Sequence, residues 1–178
     1  MSKQKPAITF RYSVTSKAPP SDVYDVLADL STHLAWAGEP DPKERYALLS
    51  LDAPQGRATV GTKWTSTGAA SRDGSSTFHD RATVTEASGN VFAFETDSRL
   101  TRKHRPEWRV LFTHRYAIEP EGDGSRINYV NDVYPVNYRP CWLFPLARPL
   151  TKLAVRKGDM KTMENLARLA EQRSKAKR

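Results

Sequence analysis

The N-terminal residues change from a strand pattern to a helix pattern within a few positions. Across residues 8–16 apolar side chains alternate with polar ones, the period of two expected for a strand with one buried face. The Pro19-Pro20 pair ends this pattern, because proline cannot donate to a sheet ladder but suits the first turn of a helix. Apolar spacing over residues 23–30 then predicts a short amphipathic helix, and a second short helix or turn is predicted to carry Leu34 and Trp36.

The pattern in the middle of the chain predicts a series of strands separated by turn residues. Predicted strands cover residues 44–51, 61–67, 77–86, 91–98, 108–118 and 126–134. A Gly- and Ser-rich loop is predicted at 68–76, and a basic loop at 101–107. Short connections between consecutive strands predict an antiparallel meander, since parallel neighbours would need long crossovers.

The C-terminal part combines a proline-rich segment with a long helix. Residues 135–150 are apolar but contain four prolines, which we interpret as excluding a continuous helix or a central strand. From about 150 to 173 an apolar band predicts a long helix, followed by a frayed basic tail at 174–178. No internal repeat or linker is visible, so residues 1–178 are interpreted as a single domain of the α+β class.

Positive charge is concentrated at the C-terminus. The net charge is +8, and residues 139–178 hold 11 basic and 3 acidic residues, which accounts for all of it. An anionic membrane surface is therefore a predicted partner for Arg156, Lys157 and Lys161, with the apolar residues 141–144 docking beside them. The alternative is that these basic residues only solvate the outer face of the helix.

Several function classes lack a signal in this sequence. Cys141 is the only cysteine, so an intrachain disulfide is excluded and a reducing compartment is compatible. There is no N-terminal apolar run and no stretch of ~20 apolar residues, and we expect a cytoplasmic protein. No metal or other cofactor is expected, since zinc-site spacing and nucleotide-binding loops are absent. No nucleic-acid-binding motif is recognisable, and no oligomeric state is indicated.

The order of elements and several segments resemble one family. The sequence resembles the START-like (SRPBCC) superfamily, within it the polyketide cyclase/dehydrase and lipid-transport group. The segments that carry the resemblance are APPSDVYDVLADLSTHLAW (18–36), VGTKW (60–64), RATVTE (81–86), FAFET (92–96), HRYAIEPEGDGSRI (114–127) and MENLARLAEQR (163–173). The resemblance implies a helix-grip fold, in which a curved antiparallel sheet of about seven strands wraps a long C-terminal helix and two short helices follow the first strand. It also implies an apolar cavity between sheet and helix that binds lipids, polyketides or similar molecules.

Strand parity and helical spacing select the side chains that would line such a cavity. The predicted ligand-binding residues are Phe10, Tyr12, Trp36, Trp64, Phe78, Phe94, Phe112, Tyr116, Met160 and Met163. Trp36 is expected near the entrance. Ordinary core packing is the alternative at each of these positions, since aromatic residues and methionine commonly fill cores.

Two polar residues on the same predicted face, Asp80 and His114, are the catalytic candidates. A buried polar group needs a partner, and a few such groups usually orient a ligand. Asp80 is expected either to pair with His114 or Arg126 as structure, or to act as a general base with a raised pKa. The alternative for His114 is a core histidine with its hydrogen bonds satisfied.

The sequence is compatible with three alternative functions. The first is a carrier or sensor that binds a small hydrophobic molecule. The second is a polyketide cyclase, aromatase or dehydratase that uses polar cavity residues. The third is a lipid carrier that docks on membranes through its basic helix.

Overall fold

The computed structural model describes residues 5–38, 47–71, 75–137 and 144–177, and for residues 47 and 144–157 it describes the backbone only. The N-terminal elements are strand β1 (Ile8–Ser16), helix α1 (Pro20–Ala28), a 3-10 turn (Leu30–Thr32) and helix α2 (His33–Ala37). Six strands and one helix follow: β2 (Ala47–Asp52), β3 (Lys63–Ala69), β4 (Ser76–Ala87), β5 (Val91–Arg102), β6 (Arg105–Glu121), β7 (Gly124–Pro135) and α3 (Phe144–Ala176).

The seven strands form one curved antiparallel sheet in the order β1-β7-β6-β5-β4-β3-β2. Strands β2 to β7 are paired in chain order, which confirms the predicted meander, and β1 lies at one edge beside β7. The C-terminal helix α3 packs on this sheet, and the two short helices follow β1. The helix-grip architecture expected from the sequence is therefore confirmed.

The connection between β5 and β6 is tighter than predicted. In place of a basic loop over 101–107, the strands continue until Arg102 pairs with Arg105, and Lys103 and His104 make the turn. His104 adopts a left-handed φ of 58°, which a tight turn requires. The guanidinium of Arg102 lies 3.4 Å from the ring centre of Trp108, and this cation–π contact favours continued pairing.

Both ends of α3 differ from the prediction. The helix begins at Phe144, so the exclusion of helix from the proline-rich segment was wrong for its last residues. Pro145 falls in the first turn of the helix, where a backbone N–H has no acceptor within the helix, so a proline is tolerated there. The helix also includes Pro149. At the other end, the frayed tail expected from residue 174 is helical to Ala176, and Lys177 Nζ lies 2.7 Å from Asp22 Oδ1.

The C-terminal half of α3 is held against β1 by specific hydrogen bonds. Ser16 Oγ donates to the carbonyl of Ala167 at 3.3 Å, and the backbone N–H of Lys17 donates to Glu171 Oε1 at 2.8 Å. Between these two bonds Ala170 is fully buried. These contacts fix the position of α3 over the sheet.

One part of the core, which we call the apolar end, lies where α1 and α3 meet the sheet. Its side chains are at most 1% exposed: Val23, Val26, Leu27, Leu30, Ile118, Ile127 and Leu166. The first four are the stripe that predicted α1, so the sequence pattern identified this helix and its buried face correctly.

Candidate functional site

Cross-strand register gathers many of the predicted site residues on the face of the sheet that bears α3. Residues directly opposite each other in an antiparallel pair share a face. His114 on β6 lies opposite Phe94 on β5 and opposite Asn131 on β7, and Asn131 lies opposite Phe10 on β1. The rings of Phe94 and His114 stack with centres 4.5 Å apart. This row crosses four strands and has polar members at its centre.

The predicted ligand-binding residues divide into two groups by exposure. The buried ones are Phe10, Trp36, Trp64, Phe94, Tyr116 and Met163. The half-buried ones are Tyr12, Phe78, Phe112 and Met160. Trp36, which was expected near an entrance, is only 2% exposed. Helix α2 directs its ring into the core, with its centre 4.4 Å from that of His33 and 6.1 Å from that of Tyr116.

A group of polar side chains lies on this face among the aromatic rings. We call it the polar cluster, and its members are Tyr12, His114, Tyr116, Tyr129, Asn131 and Asp159. Tyr129 stands at its centre, because its hydroxyl lies 2.7 Å from His114 Nδ1 and also hydrogen-bonds with Tyr116. The Tyr129 ring stacks on Tyr116 at 4.6 Å and on Tyr12 at 6.2 Å.

The two histidines near the cluster are neutral at physiological pH. Burial lowers the pKa of His114 to about 3, and the nearby His33 lowers it further. Burial likewise lowers the pKa of His33 to about 4. Neither imidazole therefore supplies a positive charge, and His114 has Tyr129 as a hydrogen-bond partner.

Asp159 brings a carboxyl group from α3 to the tyrosines of the cluster. Burial raises its pKa to about 7, and a hydrogen bond from the Tyr12 hydroxyl opposes this rise. The charge of Asp159 in turn contributes to the raised pKa values of Tyr116 and Tyr129, for which burial is the largest cause. The carboxyl is therefore close to three hydroxyl groups, and it titrates near neutrality.

Asp80 lies on the same sheet at some distance from the cluster. It is opposite Ser66 on β3 and Ser98 on β5, and burial raises its pKa to about 6 while hydrogen bonds from Ser98 and Ser66 oppose the rise. Ser98 on β5 in turn lies opposite Val110 on β6, and Val110 is four residues from His114 along that strand. Strand geometry therefore separates Asp80 and His114 by roughly 15 Å.

The structure thus does not bring together the partners expected for Asp80. His114 bonds to Tyr129, and Arg126 Nε donates to Glu121 Oε2 at 3.0 Å. Alternation along the strands gave the correct face for Asp80 and His114. It could not give their separation, since position along a face depends on the register between strands.

Four buried polar atoms on or beside this face lack a hydrogen-bond partner among the residues that the structure describes. They are Trp36 Nε1, Asp80 Oδ1, Asn131 Oδ1 and Asp159 Oδ2. Buried polar groups in folded proteins are nearly always paired with protein or water. The arrangement can therefore hydrogen-bond a bound molecule or ordered water between the sheet and α3.

Three members of the polar cluster were missed in the sequence: Tyr129, Asn131 and Asp159. Tyr129 and Asn131 have the same parity as Ile127 in a predicted strand and so share its buried face, which strand parity could have identified. Asp159 precedes Met163 by four residues and Leu166 by seven, which makes it an acidic residue on an apolar helix stripe. An acidic residue within an apolar stripe was therefore the sequence signal that could have identified Asp159.

Other predicted features concern metals and membranes. Within the described ranges, no group of three or more His, Cys, Asp or Glu side chains is arranged to hold a metal ion. No helix in the described part of the chain is long and apolar enough to cross a membrane. Of the residues predicted to dock on anionic lipid, Lys161 is half-buried, while the side chains of Arg156 and Lys157 and residues 141–143 lie outside the described part. Membrane docking stays a prediction.

A curved antiparallel sheet that carries aromatic and polar side chains under a C-terminal helix defines the helix-grip class of proteins. The family model described as polyketide cyclase/dehydrase and lipid transport matches residues 7–171, and the chain belongs to this family. No curated protein matches the sequence.

Solved structures share the fold at low sequence identity. Protein TTHA0849 from Thermus thermophilus is 17% identical with a TM-score of 0.62, covering 94% of this chain and 99% of its own. Protein CV1439 from Chromobacterium violaceum is 18% identical with a TM-score of 0.59, covering 92% and 96%. An uncharacterised protein from Rhizobium leguminosarum is 16% identical with a TM-score of 0.60, covering 93% and 95%. These similarities establish the fold and do not identify a ligand.

Proposed function

We propose that this protein binds a small hydrophobic molecule between the sheet and α3. The observation that carries the proposal is that buried polar atoms without described protein partners, Asn131 Oδ1 and Asp159 Oδ2 among them, lie within an aromatic face. Membership of a family that includes lipid transport supports it. The polar end of the ligand meets the polar cluster, and its apolar body packs on the aromatic rings.

This face differs from an ordinary protein core in its buried polar atoms that lack described partners. A buried polar atom that lacks a partner costs about 1–3 kcal/mol, so a surface used only for packing is expected to avoid several of them together. At the apolar end of the same interior the buried polar side chains are paired: Thr32 Oγ1 donates to the carbonyl of Val26, and Ser125 Oγ donates to that of Ala18. Phe78 and Phe112 are half-buried, and burial of their exposed area by a ligand would contribute a hydrophobic driving force.

The test is ligand binding by the purified full-length protein. Native mass spectrometry reports any copurified molecule, and titration of the solvent-extracted, refolded protein with the neutral dye Nile red measures affinity directly. Phe112→Ala is expected to weaken dye binding at least tenfold, because the ring is half-buried on the proposed contact face. Ile118→Val at the apolar end is the matched control and should stay within twofold. Absence of both a copurified molecule and dye binding would contradict the proposal.

A second candidate, catalysis of the cyclase or dehydrase type, is favoured by the environment of Asp80. A carboxyl whose pKa is raised to about 6 can accept and return a proton near neutral pH. We propose Asp80 as the base of this alternative, with His114 acting separately through its bond to Tyr129. The experiment follows conversion of the molecule extracted from the purified protein. Asp80→Asn should lower turnover at least a hundredfold while binding stays within a few fold, and unchanged turnover in both Asp80→Asn and His114→Gln would eliminate this mechanism.

A further inference from the structure

We propose that the ligand carries a hydrogen-bond donor, a hydroxyl or a protonated amine, at its polar end, and that Asp159 and Asn131 select this end against carboxylate and phosphate groups. The inference rests on the proposed binding function and narrows the class of ligand. Its structural basis is that the unpartnered oxygens of the polar cluster, Asn131 Oδ1 and the ionised Asp159 Oδ2, are acceptors, so they are matched by donors.

Asn131 supplies the first acceptor. Its side chain is 5% exposed and lies between Phe10 and His114 in the register of β1, β7 and β6. Its Oδ1 has no partner among the described residues. An amide oxygen can only accept hydrogen bonds, so a ligand that satisfies it has to donate.

Asp159 supplies the second acceptor on the opposite side, from α3. Its Oδ2 also lacks a described partner, and what shifts its pKa is burial and the Tyr12 hydroxyl, with no contribution from a described lysine or arginine. His33 and His114 are neutral, so they do not balance a negative charge here. A carboxylate or phosphate beside Asp159 would place like charges together in a water-poor site, which is strongly unfavourable.

The tyrosine hydroxyls of the cluster are used within the protein. The Tyr129 hydroxyl is shared with His114 and Tyr116, and the Tyr12 hydroxyl interacts with Asp159. Among the fully buried atoms of the described residues, the donor beside the cluster that lacks a partner is Trp36 Nε1, which suits the oxygen of a hydroxyl ligand. The set of free groups thus fits an alcohol, or an amine on the acceptor side, better than an anion.

Three probes with the same ten-carbon chain test this selection: 1-decanol, decylamine and decanoate, each competing with Nile red at pH 8. Decanol and decylamine are expected to displace the dye at concentrations at least tenfold below that of decanoate. In Asp159→Asn, decanoate should gain at least fivefold and decylamine should lose about tenfold, while decanol changes less than threefold. Asp123→Asn in the exposed β6–β7 turn is the matched control, with no change expected.

The outcomes separate this inference from the binding proposal. If Nile red and all three probes fail to bind, the proposed function itself is wrong. If the dye binds and decanoate displaces it as well as decanol does, the donor selection is overturned while binding stands. Circular dichroism checks the fold of Asp159→Asn. If that variant does not fold, Asn131→Val provides a second test. Decanol and decylamine are expected to lose at least threefold in their affinity for this variant. An unchanged order of affinities for all probes would overturn the role of Asn131.

Discussion

The apolar end and the polar cluster occupy the same strands but are built in opposite ways. On β7, Ile127 is fully buried among hydrocarbon side chains, whereas Asn131, four residues further, is buried with an unpartnered oxygen. On β6, Ile118 is likewise a buried hydrocarbon side chain, whereas His114, four residues earlier, hydrogen-bonds to Tyr129. The apolar end therefore stabilises the fold without the cost of unpartnered polar atoms. The other end retains polar groups that lower stability and that a ligand can satisfy.

The position of α3 explains this division. Hydrogen bonds at Ala167 and Glu171 hold the C-terminal half of the helix to β1, and Leu166 reaches the apolar end from that half. Asp159 lies two turns before Leu166 on the same stripe and faces the tyrosines instead. One helix face thus serves packing at one end and the polar cluster at the other.

The largest effect should follow from a truncation at the apolar end. Leu166→Ala is expected to lower the free energy of unfolding by about 3–4 kcal/mol, because it leaves a cavity in a closely packed core. For a chain of this size the melting temperature would fall by about 10 °C. Met160→Ala, on the half-buried part of the same helix, should lose about 1 kcal/mol. Urea unfolding measures both, and equal losses would remove the distinction between the two ends.

The next effect has the opposite sign and concerns Asp159. Its pKa is about 7 in the folded state and near 3.9 when unfolded, so the unfolded chain loses its proton first as pH rises. Stability is therefore lost between about pH 4 and pH 7 and stays lost above it. Asp159→Asn in the ligand-free protein should be more stable than wild type by about 2 kcal/mol at pH 8 and nearly equal at pH 4. Asp123→Asn should show no such difference.

The two buried histidines also make stability depend on pH, so the effect of Asp159 has to be measured as a difference between the variant and wild type. The folded-state pKa values of His33 and His114 lie near 4 and 3, below the unfolded value of about 6.5, so their burial lowers stability as pH falls below that value. In wild type the histidine and carboxyl effects oppose each other across pH 4–6.5. The difference between Asp159→Asn and wild type isolates the carboxyl, and a difference that does not vary with pH would contradict the raised pKa.

A smaller effect of the same sign is expected at Asp80. Asp80→Asn should raise stability at pH 8 by about 1 kcal/mol, since its pKa, raised to about 6, is shifted less than that of Asp159. Asp97 on the other face of the sheet is the matched contrast, because Arg109 Nε donates to it at 2.8 Å and lowers its pKa. Asp97→Asn should therefore lose up to about 1 kcal/mol at pH 8. Thermal melting of both variants at pH 4 and pH 8 tests the opposite signs.

The smallest effect concerns the hydroxyl at the centre of the polar cluster. Tyr129→Phe removes the bond to His114 Nδ1 and should lower the free energy of unfolding by about 1 kcal/mol. Tyr134→Phe, at a half-buried position on the same strand, removes a hydroxyl that hydrogen-bonds Thr113 closer to solvent and should change it by less than roughly 0.5 kcal/mol. Urea unfolding compares the two variants. A loss at Tyr134 as large as that at Tyr129 would indicate that the cluster hydroxyl has no special place in the interior.

Local sequence patterns identified the elements but not their exact extent. The stripe in α1 and the alternation in the strands depend on short-range geometry, and they predicted the correct elements and faces. The end of α3 was misjudged because Lys177 is held by Asp22, a contact between residues far apart in the chain. The β5–β6 turn was misjudged because strand pairing and the Arg102–Trp108 contact extend both strands.

The sequence by itself determined which residues face the interior, since side-chain direction follows from the periods of strand and helix. The same periods predicted the order of strands and helices, and the resemblance to the family identified that order as a helix-grip fold. Only the tertiary structure decided which polar groups meet. Register set Asp80 apart from His114 and put Tyr129 beside it, and the docking of α3 brought Asp159 over the tyrosines. Register and helix docking are sums of many long-range contacts, and no local pattern specifies them.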